Sequence, residues 1–129
     1  MSKIAVSTKN APEAIGPYSQ AITAGGLVFT SGVIPVVPDT GMIAGAAIED
    51  QARQAFTNLS MLLKDAGSSM DNVMKTTLFI KDMKDFKRIN DIYALFFKEP
   101  YPARSCVEVA RLPKDVKLEI EAIAYKNPG

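Results

Sequence analysis

The sequence YPARSCVEVARLPKDVKLEIEAIAY, residues 101–125, contains two runs of extended pattern separated by Leu112-Pro113-Lys114-Asp115. Successive side chains of a strand point to opposite faces of a sheet. In the second run, Val116 to Tyr125, apolar residues alternate with Glu119 and Glu121. This alternation predicts a strand with one apolar and one charged face. A half-buried sheet, packed on one side only, accommodates such a strand.

The first run also divides into two sets of side chains. One set, which we expect to face the core, contains Ser105, Val107 and Val109. The other set, which we expect on an open charged face beside Glu119 and Glu121, contains Arg104, Cys106, Glu108 and Ala110. For the glutamates, the alternative is an ordinary solvated face. Arg104 follows Pro102 closely, and its planar guanidinium can hold a carboxylate through two parallel hydrogen bonds.

Two helices are predicted from the period of the apolar residues. From Ile48, apolar residues recur every three or four positions as far as Ala66, and Gly67 is placed to end that helix. A second helix is predicted to begin at Asp85, and its apolar face carries Phe86, Ile89, Tyr93 and Phe96. Asn90 lies near this face and is either a packing amide or a hydrogen-bond donor to a ligand.

The remaining segments predict strands and loops. A short strand is predicted at Ile4–Val6, and Gly25-Gly26 is predicted to join Ile22–Ala24 to Leu27–Ser31 as a hairpin. A further strand is predicted within residues 71–80, which are rich in β-branched residues, and a loop is predicted within residues 35–45. The expected fold is α+β, with two amphipathic helices packed on one face of a mixed β-sheet.

Composition excludes several classes of function. The 129 residues suit one domain, residues 1–129. With 15 basic and 14 acidic residues, a nucleic-acid partner held by bulk charge is not expected. The sequence has no histidine and one cysteine, which removes histidine-dependent nucleophile pairs and thiolate metal clusters. No glycine-rich nucleotide-binding motif occurs. Any catalysis must therefore come from carboxylates, Arg, Lys, Tyr, Ser, backbone amides and water.

Targeting signals are also not expected. The first residues lack an apolar signal-peptide core, and the chain has no apolar run of about 18 residues that could cross a membrane. A single cysteine is compatible with a reducing compartment. We therefore expect a cytoplasmic protein without a membrane partner.

Tyr18, Ser31-Gly32 and Cys106 each have two interpretations. Tyr18 is either a surface aromatic or the wall of a pocket, and Ser31-Gly32 is either an ordinary strand exit or a source of accessible N–H groups for a carboxylate. Cys106 has no histidine to accept its proton, so lining a site is favoured over acting as a nucleophile.

These motifs resemble a known family. Pro102-Ala103-Arg104-Ser105 and Glu119-Ile120-Glu121-Ala122 resemble the carboxy-terminal signature of the Rid (YjgF) family, RidA subgroup, and Gly16-Pro17-Tyr18-Ser19-Gln20 agrees with it. The resemblance covers the chain from end to end. It implies a chorismate-mutase-like fold and a homotrimer with sites between subunits. Val33 is a departure, because the family usually has glutamine there, and this puts that glutamine's polar contact in doubt.

The resemblance implies hydrolysis of reactive enamines or imines, such as 2-aminoacrylate and 2-iminobutanoate, to 2-keto acids and ammonia. Arg104 would hold the substrate carboxylate, and Glu119 would orient and deprotonate water. Tyr18, Ser31, Gly32, Asn90 and Cys106 would line the site. The expected partner is a carboxylate-bearing imine or enamine, and the implied reaction requires no metal and no organic cofactor. Two alternatives remain, an endoribonuclease and a non-catalytic regulator that binds a small metabolite.

Overall fold

The computed structural model describes residues 2–128. Its helices are α1 (Ile48–Asp65) and α2 (Phe86–Phe96). Its strands are β1 (Ile4–Val6), β2 (Ala21–Ala24), β3 (Leu27–Thr30), β4 (Val36–Val37), β5 (Met42–Ile43), β6 (Val73–Ile80), β7 (Ala103–Glu108) and β8 (Leu118–Tyr125). Within this part of the chain, neither helix is long and apolar enough to cross a membrane.

Six strands form one mixed sheet in the order β1-β2-β3-β8-β6-β7. Only β6 and β7 pair in parallel, since α2 connects them, and the other neighbours are antiparallel. Buried side chains of both helices join those of the sheet in one hydrophobic core. The prediction of an α+β fold with two helices on one face of a mixed sheet is confirmed.

Local signals in the sequence placed most elements correctly. Gly25 and Gly26 have φ of 57° and 81° and form the two-residue turn between β2 and β3. Gly67, with φ of 83°, follows the end of α1 as predicted. Asp85 is the N-cap residue of α2, but its side chain makes no capping hydrogen bond and instead binds Arg88.

The loop predicted within residues 35–45 contains one feature that the sequence did not indicate. Val36–Val37 and Met42–Ile43 pair as a small separate hairpin. Each strand has only two residues, which is too short to show an alternating pattern. This hairpin lies against α1, where the buried Asn58 binds the carbonyl oxygens of Ile34 and Val36.

The faces predicted for β7 are wrong. Val107 is 43% exposed and Ser105 is also exposed, whereas Cys106 packs against the core. Arg104 pairs in register with the fully buried Thr76 and therefore lies on the helix-covered face. Both sets of β7 side chains mix polar and apolar residues, so alternation alone does not say which set is inside.

The faces predicted for β8 are correct. Its buried side chains alternate with Glu119 and Glu121, which pair in register with Phe79 and Thr77 on the open side of the sheet. This open face is also more apolar than expected, since exposed or half-buried apolar side chains occur at Phe29, Phe79, Val107 and Ile123. Solvent-facing apolar area of this kind is typical of an interaction surface.

Candidate active site

Arg104 lies between two aromatic rings of α2. Its Cζ atom is 4.8 Å from the ring centre of Tyr93 and 5.4 Å from that of Phe86. Its Nη1 atom donates a hydrogen bond to Asn90 Oδ1 at 2.8 Å. Guanidinium groups at these distances are attracted to the ring faces, and Arg104 is half-buried, so its head group is held in one orientation.

Tyr93 is itself fixed by the core. Its hydroxyl shares a 2.8 Å hydrogen bond with Thr76 Oγ1, and its ring stacks on Phe97 with centres 4.3 Å apart. Phe56 meets the Tyr93 ring edge-on at 5.7 Å. A platform with so many buried contacts cannot follow a movement of Arg104, so it restricts where the guanidinium can point.

The charge of Arg104 is not neutralised within residues 2–128, where it forms no ion pair. By contrast, Arg88 and Arg111 pair with acidic residues at the surface. The contact with Asn90 uses only one of the five guanidinium N–H groups. A half-buried guanidinium with unused donors can bind an anion, and a carboxylate has the matching planar shape.

Glu119 lies against Gly32 in another part of the molecule. Val33 and Ile120 exchange two backbone hydrogen bonds, of 2.7 and 3.0 Å, which bring the strand exit beside β8. A Cβ atom on Gly32 would lie 1.8 Å from Glu119 Oε2, so only glycine leaves room for this carboxylate. Val33, which replaces the family glutamine, supplies backbone contacts here, and its side chain is buried.

A cavity of about 330 Å³ has Glu119 among its lining residues. Tyr18, Ser31 and Gly32, for which a substrate-binding role is predicted, line the same cavity. The Ser31 hydroxyl donates to Ser19 O at 2.6 Å, which leaves its oxygen able to accept. The Gly32 N–H has no acceptor within the described chain. The cavity therefore offers a carboxylate base, an N–H donor and a hydroxyl acceptor.

The pKa of Glu119 is raised, mainly because burial disfavours its charged form and secondly because Glu121 repels a second negative charge. A carboxyl group with a raised pKa can accept and return a proton closer to neutral pH than an exposed one. Glu119 is thus suited to general acid–base chemistry in this cavity.

Cys106 lies on the Arg104 side of the sheet. Burial raises the pKa of its thiol more than the nearby charge of Arg104 lowers it. The thiol is therefore neutral near pH 7, which argues against a nucleophilic role. Across residues 2–128, no group of three or more potential metal ligands occurs.

The predicted residues fall into two half-sites that one chain does not bring together. The first half-site, on the helix-covered side near the β7 edge, contains Asn90, Arg104 and Cys106. The second half-site, at the cavity, contains Tyr18, Ser31, Gly32 and Glu119. Arg104 and Glu119 point to opposite faces of the sheet because their partners on β6, Thr76 and Phe79, do so.

Sequence reasoning missed the aromatic platform. Phe86 and Tyr93 were assigned to the apolar face of a helix, which is correct but incomplete. The available signal was their spacing around Asn90: Phe86, Asn90 and Tyr93 are three or four residues apart and so lie on one side of α2.

Comparison with models of known families shows the family of this chain. The family model described as Endoribonuclease L-PSP matches residues 8–126. The chain belongs to this family. The resemblance to Rid (YjgF) proteins predicted from the sequence is thereby confirmed.

Curated relatives are similar to this chain over nearly their full length. The putative reactive intermediate deaminase TdcF of Escherichia coli is 53% identical, covering 98% of this chain and 99% of TdcF. The 2-iminobutanoate/2-iminopropanoate deaminase of Salmonella typhimurium is 52% identical, covering 98% of this chain and all of that protein.

Solved structures of the Endoribonuclease L-PSP family share this fold. The crystal structure of E. coli TdcF with bound serine superposes with a TM-score of 0.90 at 52% identity. It covers 96% of this chain and 99% of that chain. The mixed sheet with two helices is therefore the architecture of these relatives as well.

Proposed function

We propose that this protein hydrolyses reactive 2-imino acids, such as 2-iminobutanoate and 2-iminopropanoate, to 2-keto acids and ammonia. The observation that carries the proposal is Arg104, a half-buried cation held on an aromatic platform and without an acidic partner among residues 2–128. Relatives at 52% identity named as deaminases of such imines support it.

The complete site forms between two copies of the chain. Arg104 and Glu119 lie on opposite faces of one sheet, so a small substrate cannot contact both within one chain. The two half-sites differ, and pairing one with the other gives a head-to-tail contact, which closes into a ring when the rotation permits. The exposed apolar residues on the open face supply a surface for it. Sedimentation equilibrium should give three times the 13.9 kDa chain mass.

Binding places the substrate before any bond changes. Arg104 of one copy receives the carboxylate through its unused N–H groups, and Asn90 keeps the guanidinium in plane with it. The Gly32 N–H and the Ser31 hydroxyl lie around Glu119 of the neighbouring copy. The imine carbon is already electrophilic, so the reaction needs only a fixed substrate and one placed water. Holding the two in the reacting geometry lowers the activation barrier for hydrolysis.

Glu119 then transfers the protons. An enamine first tautomerises to the imine. Water adds to the C=N carbon of the protonated imine while the Glu119 carboxylate takes one proton from the water, giving a neutral carbinolamine. The Glu119 carboxyl group then returns that proton to the nitrogen. The C–N bond breaks and ammonia leaves as the hydroxyl group loses its proton to the Glu119 carboxylate and becomes the C=O group. The raised pKa of Glu119 favours both steps.

The test is ammonia release from imines generated in situ by threonine dehydratase or an amino-acid oxidase. Glu119→Gln should lower turnover by about 10²-fold or more, the scale for loss of a positioned acid–base group. Glu121→Gln, assayed above the acidic limb of the pH–rate profile so that Glu119 is ionised with or without Glu121, is the matched control, since it removes a neighbouring carboxylate of the same face that does not line the cavity. Equal turnover by wild type and Glu119→Gln would refute the role of Glu119.

An endoribonuclease activity is the second candidate, because the matching family model carries that description. The net charge of +1 and the lack of histidine argue against it. RNA cleavage that survives Arg104→Ala and falls steeply with salt would favour it. Saturable binding of a 2-keto acid without ammonia release would instead indicate a regulator.

A further inference from the structure

A second cavity adjoins the one around Glu119. It has a volume of about 450 Å³, and five of its lining residues also line the first cavity. These shared residues are Pro12, Glu13, Tyr18, Ile34 and Pro113. The two cavities therefore meet along a common wall, at the end of the first cavity formed by loops and not by the sheet.

One wall of the second cavity is fixed by a buried amide. Asn58, which is 1% exposed, donates from Nδ2 to Ile34 O at 3.0 Å and to Val36 O at 2.8 Å. Its own Oδ1 accepts from Gln54 Nε2 at 2.8 Å. With every polar atom of Asn58 used, the segment that carries the Ile34 and Val36 side chains is held against α1.

The segment that carries Pro12 and Glu13, which also line the cavity, is fixed in the same way. Gln20, which is 7% exposed, donates to Pro12 O at 2.7 Å and accepts from Thr8 N at 2.7 Å. The Tyr18 hydroxyl accepts a hydrogen bond from the Ile15 N–H at 3.3 Å. Both lining segments are thus formed before a ligand arrives, which is typical of small-molecule sites.

The lining chemistry is apolar. Besides the shared wall, Ile15, Val36 and Pro38 contribute hydrocarbon surface. The charged lining residues are Glu13 and Lys114, which have opposite signs. The cavity therefore has no net charge to attract a charged group, and a hydrocarbon group would leave water on entering it.

We infer that this second cavity, the side-chain chamber, binds the apolar side chain of the substrate, so that the preferred substrates are 2-imino acids with branched or long apolar side chains. The inference rests on the proposed function, which places the imine carbon at Glu119. From that carbon the carboxylate extends towards Arg104 of the neighbouring copy. The side chain extends the other way, past the residues that line both cavities and into the chamber.

Binding of 2-keto acids tests the chamber without requiring turnover. Pyruvate and 4-methyl-2-oxopentanoate have the same keto-acid group, but the second carries three more carbons. Each buried methylene corresponds to about a four-fold gain in affinity. Titration calorimetry on the assembled wild-type protein should therefore give at least about 10-fold tighter binding of 4-methyl-2-oxopentanoate. Equal affinity for the two acids, or no binding of either, would overturn the inference.

Ile15→Asp places a charge in the side-chain chamber and should remove the tighter binding of 4-methyl-2-oxopentanoate. The affinity of this variant for pyruvate should stay within about two-fold of the wild-type value. Ile4→Asp is the matched control, because Ile4 is also exposed and lines neither cavity. A uniform loss of affinity for both acids in Ile15→Asp would also overturn the inference. If the wild-type protein releases no ammonia from imines but still binds 4-methyl-2-oxopentanoate more tightly than pyruvate, the deaminase proposal is refuted and the side-chain chamber is supported.

Discussion

Gly32→Ala is the substitution that tests the Glu119 cavity most directly. The added Cβ would lie 1.8 Å from Glu119 Oε2 and 2.5 Å from Glu119 Cδ, whereas ordinary van der Waals contact begins at 3.4 Å. The backbone of Gly32 has no positive φ, so alanine is compatible with it. The carboxylate must therefore move by more than about 1 Å, and a misplacement of that size can cost about 10²-fold in rate.

The assay is steady-state deamination of an imine generated in situ, together with a thermal melt. We expect kcat/KM to fall by about 10²-fold while the fold is retained. Gly26→Ala is the control: nothing lies within 4 Å of its added Cβ, but its φ of 81° disfavours alanine. It should lower stability and leave kcat/KM unchanged.

A double mutant separates displacement of Glu119 from other effects. If Gly32→Ala acts only through Glu119, the Gly32→Ala, Glu119→Gln double mutant should be no slower than Glu119→Gln alone. Full turnover by Gly32→Ala, or additive losses in the double mutant, would refute this reasoning.

Three further predictions concern charge and orientation. Arg104→Lys keeps the positive charge but loses the planar guanidinium that can form two parallel hydrogen bonds with a carboxylate, so kcat/KM for a carboxylate-bearing imine should fall about 10- to 150-fold. An equal loss with the uncharged amide analogue of that imine would contradict carboxylate binding by Arg104. Since Glu119 must be ionised to accept a proton, activity should fall as pH drops through its raised pKa, and Glu121→Gln should move that acidic limb of the pH–rate profile to lower pH. Phe86→Leu removes one ring from Arg104 and should raise KM more than it lowers kcat, whereas unchanged kinetics would mean that the platform has no positioning role.

The pKa of Glu119 also predicts a dependence of stability on pH. Burial raises the folded-state pKa above the unfolded value, so its contribution to stability is fully present below the unfolded pKa and is lost as pH rises through the folded pKa. Glu119→Gln, which cannot ionise, should therefore be at least as stable as wild type at pH 7. Chemical denaturation at a series of pH values up to 7 measures the free energy of unfolding of both proteins. A Glu119→Gln variant less stable than wild type at pH 7 would contradict a raised pKa for Glu119.

The sequence alone determined the elements whose patterns are local. The three- and four-residue period of α1, the Gly25-Gly26 turn and the alternation along β8 each depend on neighbouring residues and are confirmed. The resemblance to the family also came from the sequence and selected Arg104 and Glu119. The roles of these two residues stay predictions until the variants are measured.

Only the tertiary structure decided which way β7 faces. Alternation divides a strand into two sets of side chains, but a long amphipathic residue such as Arg104 can lie on the covered face when an aromatic platform receives it. Phe86 and Tyr93 reach Arg104 because α2 crosses from β6 to β7, a contact that depends on packing between elements distant in sequence. The separation of Arg104 from Glu119 follows from the same packing, since it depends on the register of β6 with both of its neighbours.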